Sequence, residues 1–266
     1  MPHLGARPRP EQIAPGLWRV GGGSWDGVVQ AASAEDDANA YLLQGSCAPA
    51  LIDCASLAGR AQIETNLRAT GVDPTGLGEL LLTHSHWDHT QAAHEWQSSY
   101  GLRTHLNAVG AEYINRGDHR LIGAPLHGPD YAFEPFAVDH PVHDGESFEL
   151  SGIAVTAHFL PGHTLDSTLY TFELADLRVG VCGDIAFGPD ERGTYRIGLM
   201  SNLWGSNLDQ YLDSLHRLAQ IPIDLLVPGH GGPVTGRANV AETVAGTLAT
   251  VEALAANDAV RRNLAI

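Results

Sequence analysis

The segment Thr83-His84-Ser85-His86-Trp87-Asp88-His89-Thr90 places three imidazoles and one carboxylate within six positions, just past the apolar run Leu80-Leu81-Leu82. On an extended backbone alternate side chains share a face, so His84 and His86 can converge on one point. The chain then turns, and Asp88 and His89 can face a second point nearby. Nitrogen and oxygen donors at this spacing suit borderline divalent cations of the zinc type.

Three further segments repeat the same address, a buried strand, a turn residue and then a candidate ligand. Ile153-Ala154-Val155-Thr156-Ala157 precedes Pro161-Gly162-His163-Thr164, Val179-Gly180-Val181-Cys182 runs into Gly183-Asp184, and Leu225-Leu226-Val227 runs into Pro228-Gly229-His230. Glycine at such exits lets the backbone bend sharply and approach an ion. Four strands therefore deliver ligands to one rim.

From about Ile13 to Pro233 the chain resembles the metallo-β-lactamase superfamily. That family's order is His-x-His-x-Asp-His, then His, Asp and His, and His84, His86, Asp88, His89, His163, Asp184 and His230 fill all seven positions. The resemblance implies that His84, His86 and His163 hold one metal, that Asp88, His89 and His230 hold a second, and that Asp184 bridges them. The expected cofactors are thus two divalent ions per chain, zinc in the first instance, with iron or manganese as alternatives. Asp53, at the end of Leu51-Ile52-Asp53, falls at the family's strand-end aspartate, which supports the site from behind; an ordinary turn or cap aspartate is the competing reading.

Two cations about 3.5–4 Å apart can share a water and lower its pKa from 15.7 toward ~7. The expected reaction is attack of the resulting hydroxide on the carbonyl of a small ester, lactone or thioester, with Asp88 orienting the nucleophile and shuttling its proton. No Gly-x-Ser-x-Gly elbow supports a serine hydrolase. The motif most resembles the glyoxalase II type, with Thr164 and Ser167 following His163, and the presence of Asp184 turns the reading away from β-lactam cleavage, kept as an alternative. Gln91-Ala92 replaces the family's usual glycine pair, and only Arg237, Arg261 and Arg262 supply positive charge near the C-terminus, which argues against a glutathione thioester. The other alternative is a persulfide-dioxygenase-like oxidoreductase with one iron on His84, His163 and Asp184. Tyr195, just beyond Asp184, is assigned a hydrogen bond to a substrate oxyanion, as a tyrosine makes in lactonase relatives; packing on its own loop competes with that role. Trp25, Tyr131 and Trp204 are candidate apolar pocket walls.

Strands are expected at residues 13–20, 39–43, 51–53, 148–160, 168–184 and 225–227. Helices are expected over 57–69, from Thr90 as N-cap to before Gly101, over 108–115 and 207–219, and from Arg237 to about Leu264. Strand runs paired with helices in each half fit an αββα sandwich, two mixed sheets between helical layers, as one domain over residues 1–266 with a flexible tail at 1–12. A chain of 266 residues is long enough for such a core. The formal charge of −16 argues against a nucleic-acid partner, whose phosphates need a basic surface. All fifteen basic residues are Arg, so no lysine can act as base or Schiff-base former. Cys47, Cys54 and Cys182 form no CxxC pair and suggest a reducing compartment; Cys182 reads as a small buried side chain rather than a ligand. Without a signal-like N-terminus or a membrane-length apolar run, the expectation is a cytoplasmic enzyme acting on a small molecule, with neither membrane nor nucleic-acid partner.

Overall fold

The computed structural model describes residues 9–24, 30–118, 134–199 and 205–257. Among these, one sheet has seven strands in chain order: β1 (Glu11–Ala14), β2 (Leu17–Gly21), β3 (Ala40–Leu43), β4 (Ala50–Ile52), β5 (Glu79–Leu81), β6 (Arg103–Asn107) and β7 (His140–Val142). The first four pair antiparallel, and β4 to β7 pair parallel. Parallel neighbours require crossovers. These are supplied by α1 (Arg60–Ala69), by the short α2 (Trp87–Thr90) with α3 (Ala93–Tyr100), and by α4 (Ala108–Asn115).

The second sheet contains β8 (Ser147–Leu150), β9 (Ile153–Phe159), β10 (Thr168–Leu174), β11 (Leu177–Gly183), β12 (Leu225–Pro228) and β13 (Val234–Thr235), with α5 (Leu208–Leu218) crossing from β11 to its parallel neighbour β12. Helix α6 (Arg237–Ala255) follows.

The period-2 alternation of strands divides the core into three layers. Tyr41, Leu43, Ile52 and Leu81 of the first sheet meet Val155, Tyr170, Val181 and Val227 of the second. The intervening residues Leu42, Leu51 and Leu80 face Ile63, Leu67 and Trp96 of the helices. On the far side, Leu169, Cys182 and Leu226 face Tyr211, Leu215 and Val244. Each fully buried large apolar side chain contributes about 1.5–3 kcal/mol, so the two sheets form a rigid double platform. The architecture is the expected αββα sandwich.

Several boundaries differ from the sequence reading. Strand β1 begins at Glu11, inside the segment expected as a flexible tail, while residues 1–8 lie outside the described residues. The long strand expected at 148–160 is a hairpin turning at Ser151 (φ 54°) and Gly152 (φ 74°), and that at 168–184 turns at Ala175 and Asp176 (φ 49° and 65°). Thr90 is not a helix cap: α2 starts at Trp87, and Thr90 Oγ1 donates backward to the carbonyls of Ser85 (3.1 Å) and His86 (3.0 Å). Helix α1 starts at Arg60, because Ser56 is held by Asp37, its N–H donating to Asp37 Oδ1 at 3.1 Å. The final helix ends at Ala255, and residues 258–266 lie outside the described residues. Among the described residues no helix is long and apolar enough to cross a membrane.

Candidate metal centre

The ligand-bearing loops leave the C-terminal ends of β5, β9, β11 and β12 at one rim of the sandwich. After β5 the backbone stays extended through His86 (φ −58°, ψ 146°), and the turn of α2 then swings Asp88 and His89 to another side. This single change of direction makes two groups from one motif. His84, His86 and His163 form one; Asp88, His89, Asp184 and His230 form the other, and within each group the donor atoms lie within 4.8 Å of one another.

In the first group His163 Nε2 stands 3.1 Å from His84 Nε2 and 2.9 Å from His86 Nδ1. Zinc–imidazole bonds of 2.0–2.1 Å in tetrahedral geometry put nitrogens about 3.3 Å apart, so this spacing fits a shared cation. Protonation is assigned from the partners. Thr83 Oγ1 donates to Asp53 Oδ2 (2.8 Å), so it must accept from His84 Nδ1 (3.1 Å), leaving His84 Nε2 as a lone pair. His163 Nδ1 donates to the Gly198 carbonyl, which leaves its Nε2 in the same state. Burial holds His84 well below the usual imidazole range, with His89, His163 and His86 adding repulsion. It holds His86 down at about 3. Three neutral rings face one point, and the lone pairs of His84 and His163 are aimed at it.

The second group carries opposite charges. His230 Nε2 lies 3.0 Å from Asp88 Oδ2 and 3.4 Å from Asp184 Oδ2, and His89 Nε2 lies 3.4 Å from Asp184 Oδ1. Asp184 Oδ2 is also 3.5 Å from His163 Nε2, so this carboxylate faces both groups. Burial opposes charge on His89, but Asp88, Asp53 and Asp184 outweigh it and push the ring well above its ordinary range. His230 is pushed up to about 9 against burial, chiefly by Asp184. Burial likewise opposes the Asp184 and Asp88 carboxylates, yet His230 and His89 hold both below the usual range. His89 Nε2 and Asp184 Oδ1 are fully buried and make no hydrogen bond. Because His89 Nδ1 donates to Asp53 Oδ2 at 2.8 Å, its Nε2 is the free position, and a cation there would satisfy both orphans. The donor set fits the divalent ions the sequence implied.

Asp53, left open between two readings, lies directly behind the site. Besides His89, it accepts from the Thr83 N–H through Oδ1 at 2.8 Å, the carboxylate–histidine arrangement that orients metal ligands. Other supports escaped the sequence reading. Asn39 Nδ2 donates to the carbonyls of Pro228 (3.0 Å) and Gly231 (2.9 Å), and Tyr41 OH donates to Pro228 O (2.7 Å), pinning the His230 loop to the first sheet. Tyr211 OH accepts from Gly198 N–H (2.9 Å) and donates to Ile185 O (2.6 Å), fixing the peptide that holds His163. The bonds from Asn39 and Tyr41 span more than 180 residues of chain (189, 192 and 187), and no local pattern announces them.

One sequence expectation lands elsewhere and one holds. Tyr195 joins neither ligand group; its ring packs against Gly246 of α6, and its hydroxyl is 3.4 Å from Glu242 Oε1. Cys182 is the small buried side chain expected of it, and Gly183, at φ 51°, breaks the strand alternation between it and Asp184. The Cys182 thiol donates to Ala186 O at 3.3 Å, and burial pushes its pKa up to about 12, as befits a core side chain. Trp25, Tyr131 and Trp204 lie outside the described residues. A cavity of about 290 Å³ opens beside His230, bordered by Phe187, Pro189, Arg196, Val234 and Asn239.

Residues 34–230 match the family described as Metallo-beta-lactamase superfamily. Atrochrysone carboxyl ACP thioesterase of Aspergillus fumigatus is 26% identical over 228 residues, 85% of this chain and 59% of that protein. A hydroxyacylglutathione hydrolase of Acidiphilium cryptum is 32% identical over 151 residues, 57% of this chain and 50% of that protein. The chain thus spans little more than half the length of these curated relatives. A metallo-β-lactamase of Cronobacter sakazakii superposes with a TM-score of 0.73 at 22% identity, covering 96% of this chain and 99% of that one; at that identity the likeness speaks for the fold.

Proposed function

The chain belongs to the metallo-β-lactamase superfamily, and from that premise we propose that it is a dinuclear metal-dependent hydrolase of a small ester, lactone or thioester. The observation that carries this is Asp184, whose two oxygens face a three-imidazole group on one side and an Asp/His group on the other. His84, His86 and His163 would hold one ion, Asp88, His89 and His230 the second, with Asp184 shared. When bound, such a pair supplies an activated water and an electrophile for the carbonyl oxygen.

The protein's own contribution is orientation and proton handling. Asp88 is held ionised by His89 and His230 and is only 14% exposed, so its carboxylate can accept the proton of the attacking water and return it to the leaving group. Burial of His84, His86 and His163 keeps them neutral and excludes bulk water from that side. The cavity beside His230 admits the acyl substrate. Among acyl substrates we favour thioesters: the names of both curated relatives, an ACP thioesterase and a hydroxyacylglutathione hydrolase, specify an acyl group carried on a thiol.

Elemental analysis of protein purified without added metal tests the reading. About two zinc per chain, with hydrolysis of a thioester or lactone panel that chelation abolishes, is the expected result. One iron per chain with oxygen-dependent sulfur chemistry would replace it.

A further inference from the structure

Ser85 sits between two ligands of the three-imidazole group, and strand alternation points it away from them. Its hydroxyl donates to Asp166 Oδ2. The other oxygen of Asp166 accepts from Thr164 Oγ1 at 2.7 Å, and Thr164 is the residue after the third ligand, His163. Ser85, Thr164 and Asp166 are all completely buried. One carboxylate therefore spans two loops whose ligands, His84 and His163, are 79 residues apart in sequence.

The surroundings hold this carboxylate still. Thr168 Oγ1 donates to the Asp166 carbonyl (3.0 Å) and accepts from Asn107 Nδ2 (3.1 Å), while the Thr168 N–H donates to the Thr83 carbonyl (3.1 Å). Helix α4 closes the back: a Cβ on Gly110 would lie 2.9 Å from Ser85 Oγ and 3.0 Å from Asp166 Cγ, so only glycine fits there.

We propose that Asp166 is the positioning residue of the three-imidazole group, setting the gap between the His84/His86 segment and the His163 turn. It acts on one half of the site only, whereas Asp53 reaches His89 directly and His84 through Thr83, and Asn39 and Tyr41 hold the His230 loop. The inference rests on the dinuclear reading above, and its test separates the two.

Asp166→Asn keeps the volume but cannot accept both hydroxyls through two oxygens. In zinc titrations against a competing chelator, one of the two equivalents should weaken about 10–100-fold, the usual cost of losing an outer support. The other should stay within about twofold. His86→Ala, which should abolish the same equivalent, identifies it as the three-imidazole ion. Ser85→Ala removes one leg only and carries the test if Asp166→Asn does not fold. Equal weakening of both equivalents, or of neither, overturns the proposal. Wild-type protein that takes up no zinc overturns the dinuclear reading instead. Nitrogen NMR of the metal-free protein then decides the role of Asp166: ring signals of His84, His86 and His163 should move in the variant and those of His230 should not, and unmoved rings overturn it.

Discussion

The two halves of the candidate metal centre share a rim and a carboxylate, yet they solve opposite electrostatic problems. The three-imidazole half is neutral and buried, with ring nitrogens converging at 2.9–3.1 Å and no acid among its own members. The Asp/His half is a cluster of opposite charges that already satisfies itself in part through the Asp88–His230 contact at 3.0 Å. Without metal, protons can occupy the second half at little cost, because carboxylates welcome them. The first half has no such substitute, since burial and mutual repulsion keep its rings neutral. The difference teaches which half of the proposed dinuclear site would need its cation for cohesion: the imidazole half would depend on it, while the carboxylate half would use its own mainly for chemistry.

The largest effect should come from the residue that makes the two halves one site. Asp184→Asn removes the shared anion without changing volume, and kcat/KM should fall on the order of 10³-fold, because several kcal/mol of charge stabilisation depends on the metal pair. Metal content should drop with it. Full activity with two metals retained would show that the halves do not need their bridge.

Next in size is the pH response of chelated protein, where the halves should pull in opposite directions. His86 is held at about 3, below the ordinary 6.5, so between those values the unfolded chain binds a proton that the folded one refuses, and stability falls as pH falls. His230 is raised to about 9, so the folded chain holds a proton that the unfolded one loses, and stability falls as pH rises from 6.5 to 9. Each such histidine contributes a limiting slope of about 1.4 kcal/mol per pH unit, and His84 adds to the acid arm as His89 adds to the alkaline one. Denaturant unfolding from pH 4 to 9 should therefore peak near neutrality; His86→Gln should flatten the acid arm and His230→Gln the alkaline arm. A profile unchanged by either substitution would refute the electrostatic contrast.

Asp53→Asn should act more gently and mainly on the carboxylate half, where its contact is direct. Weakening the His89 Nδ1 contact at 2.8 Å should cost about 10–100-fold in affinity for that ion, read by the same chelator competition. Loss of the other ion would mean that the halves are coupled through Thr83, which touches both Asp53 and His84.

The two candidate ligand groups were legible because each of their segments follows a short apolar strand and a bend, a signal contained within about ten residues. The supports were not. Asn39 and Asp166 bond across 189 and 81 residues, and polarity alone cannot distinguish them from surface residues. Strands β6 and β7 were also missed. The sequence Arg103-Thr104-His105-Leu106-Asn107 has one aliphatic residue, yet positions 104 to 107 are buried because their polar atoms find partners such as Asp139 and Thr168. The two hairpins read as single strands because their turns use Ser151-Gly152 and Ala175-Asp176, of which only the first contains glycine.

Tyr195 offers the smallest effect and a clean control on how far position along the chain implies role. It follows Asp184 by eleven residues, near enough in sequence to suggest an oxyanion contact. The intervening loop, however, is tied by Asp190, whose Oδ1 accepts the N–H groups of Arg192 (2.9 Å) and Thr194 (2.8 Å), and this turn delivers Tyr195 to α6. Its hydroxyl meets Glu242 at 3.4 Å in an exposed setting, where a long, solvent-screened hydrogen bond to a carboxylate contributes little. Tyr195→Phe should therefore leave kcat/KM within about twofold and leave metal content unchanged, whereas loss of an oxyanion donor would cost about 10²–10³-fold in kcat. A loss of that size would mean that the loop swings Tyr195 away from Glu242 toward the metal rim when substrate binds.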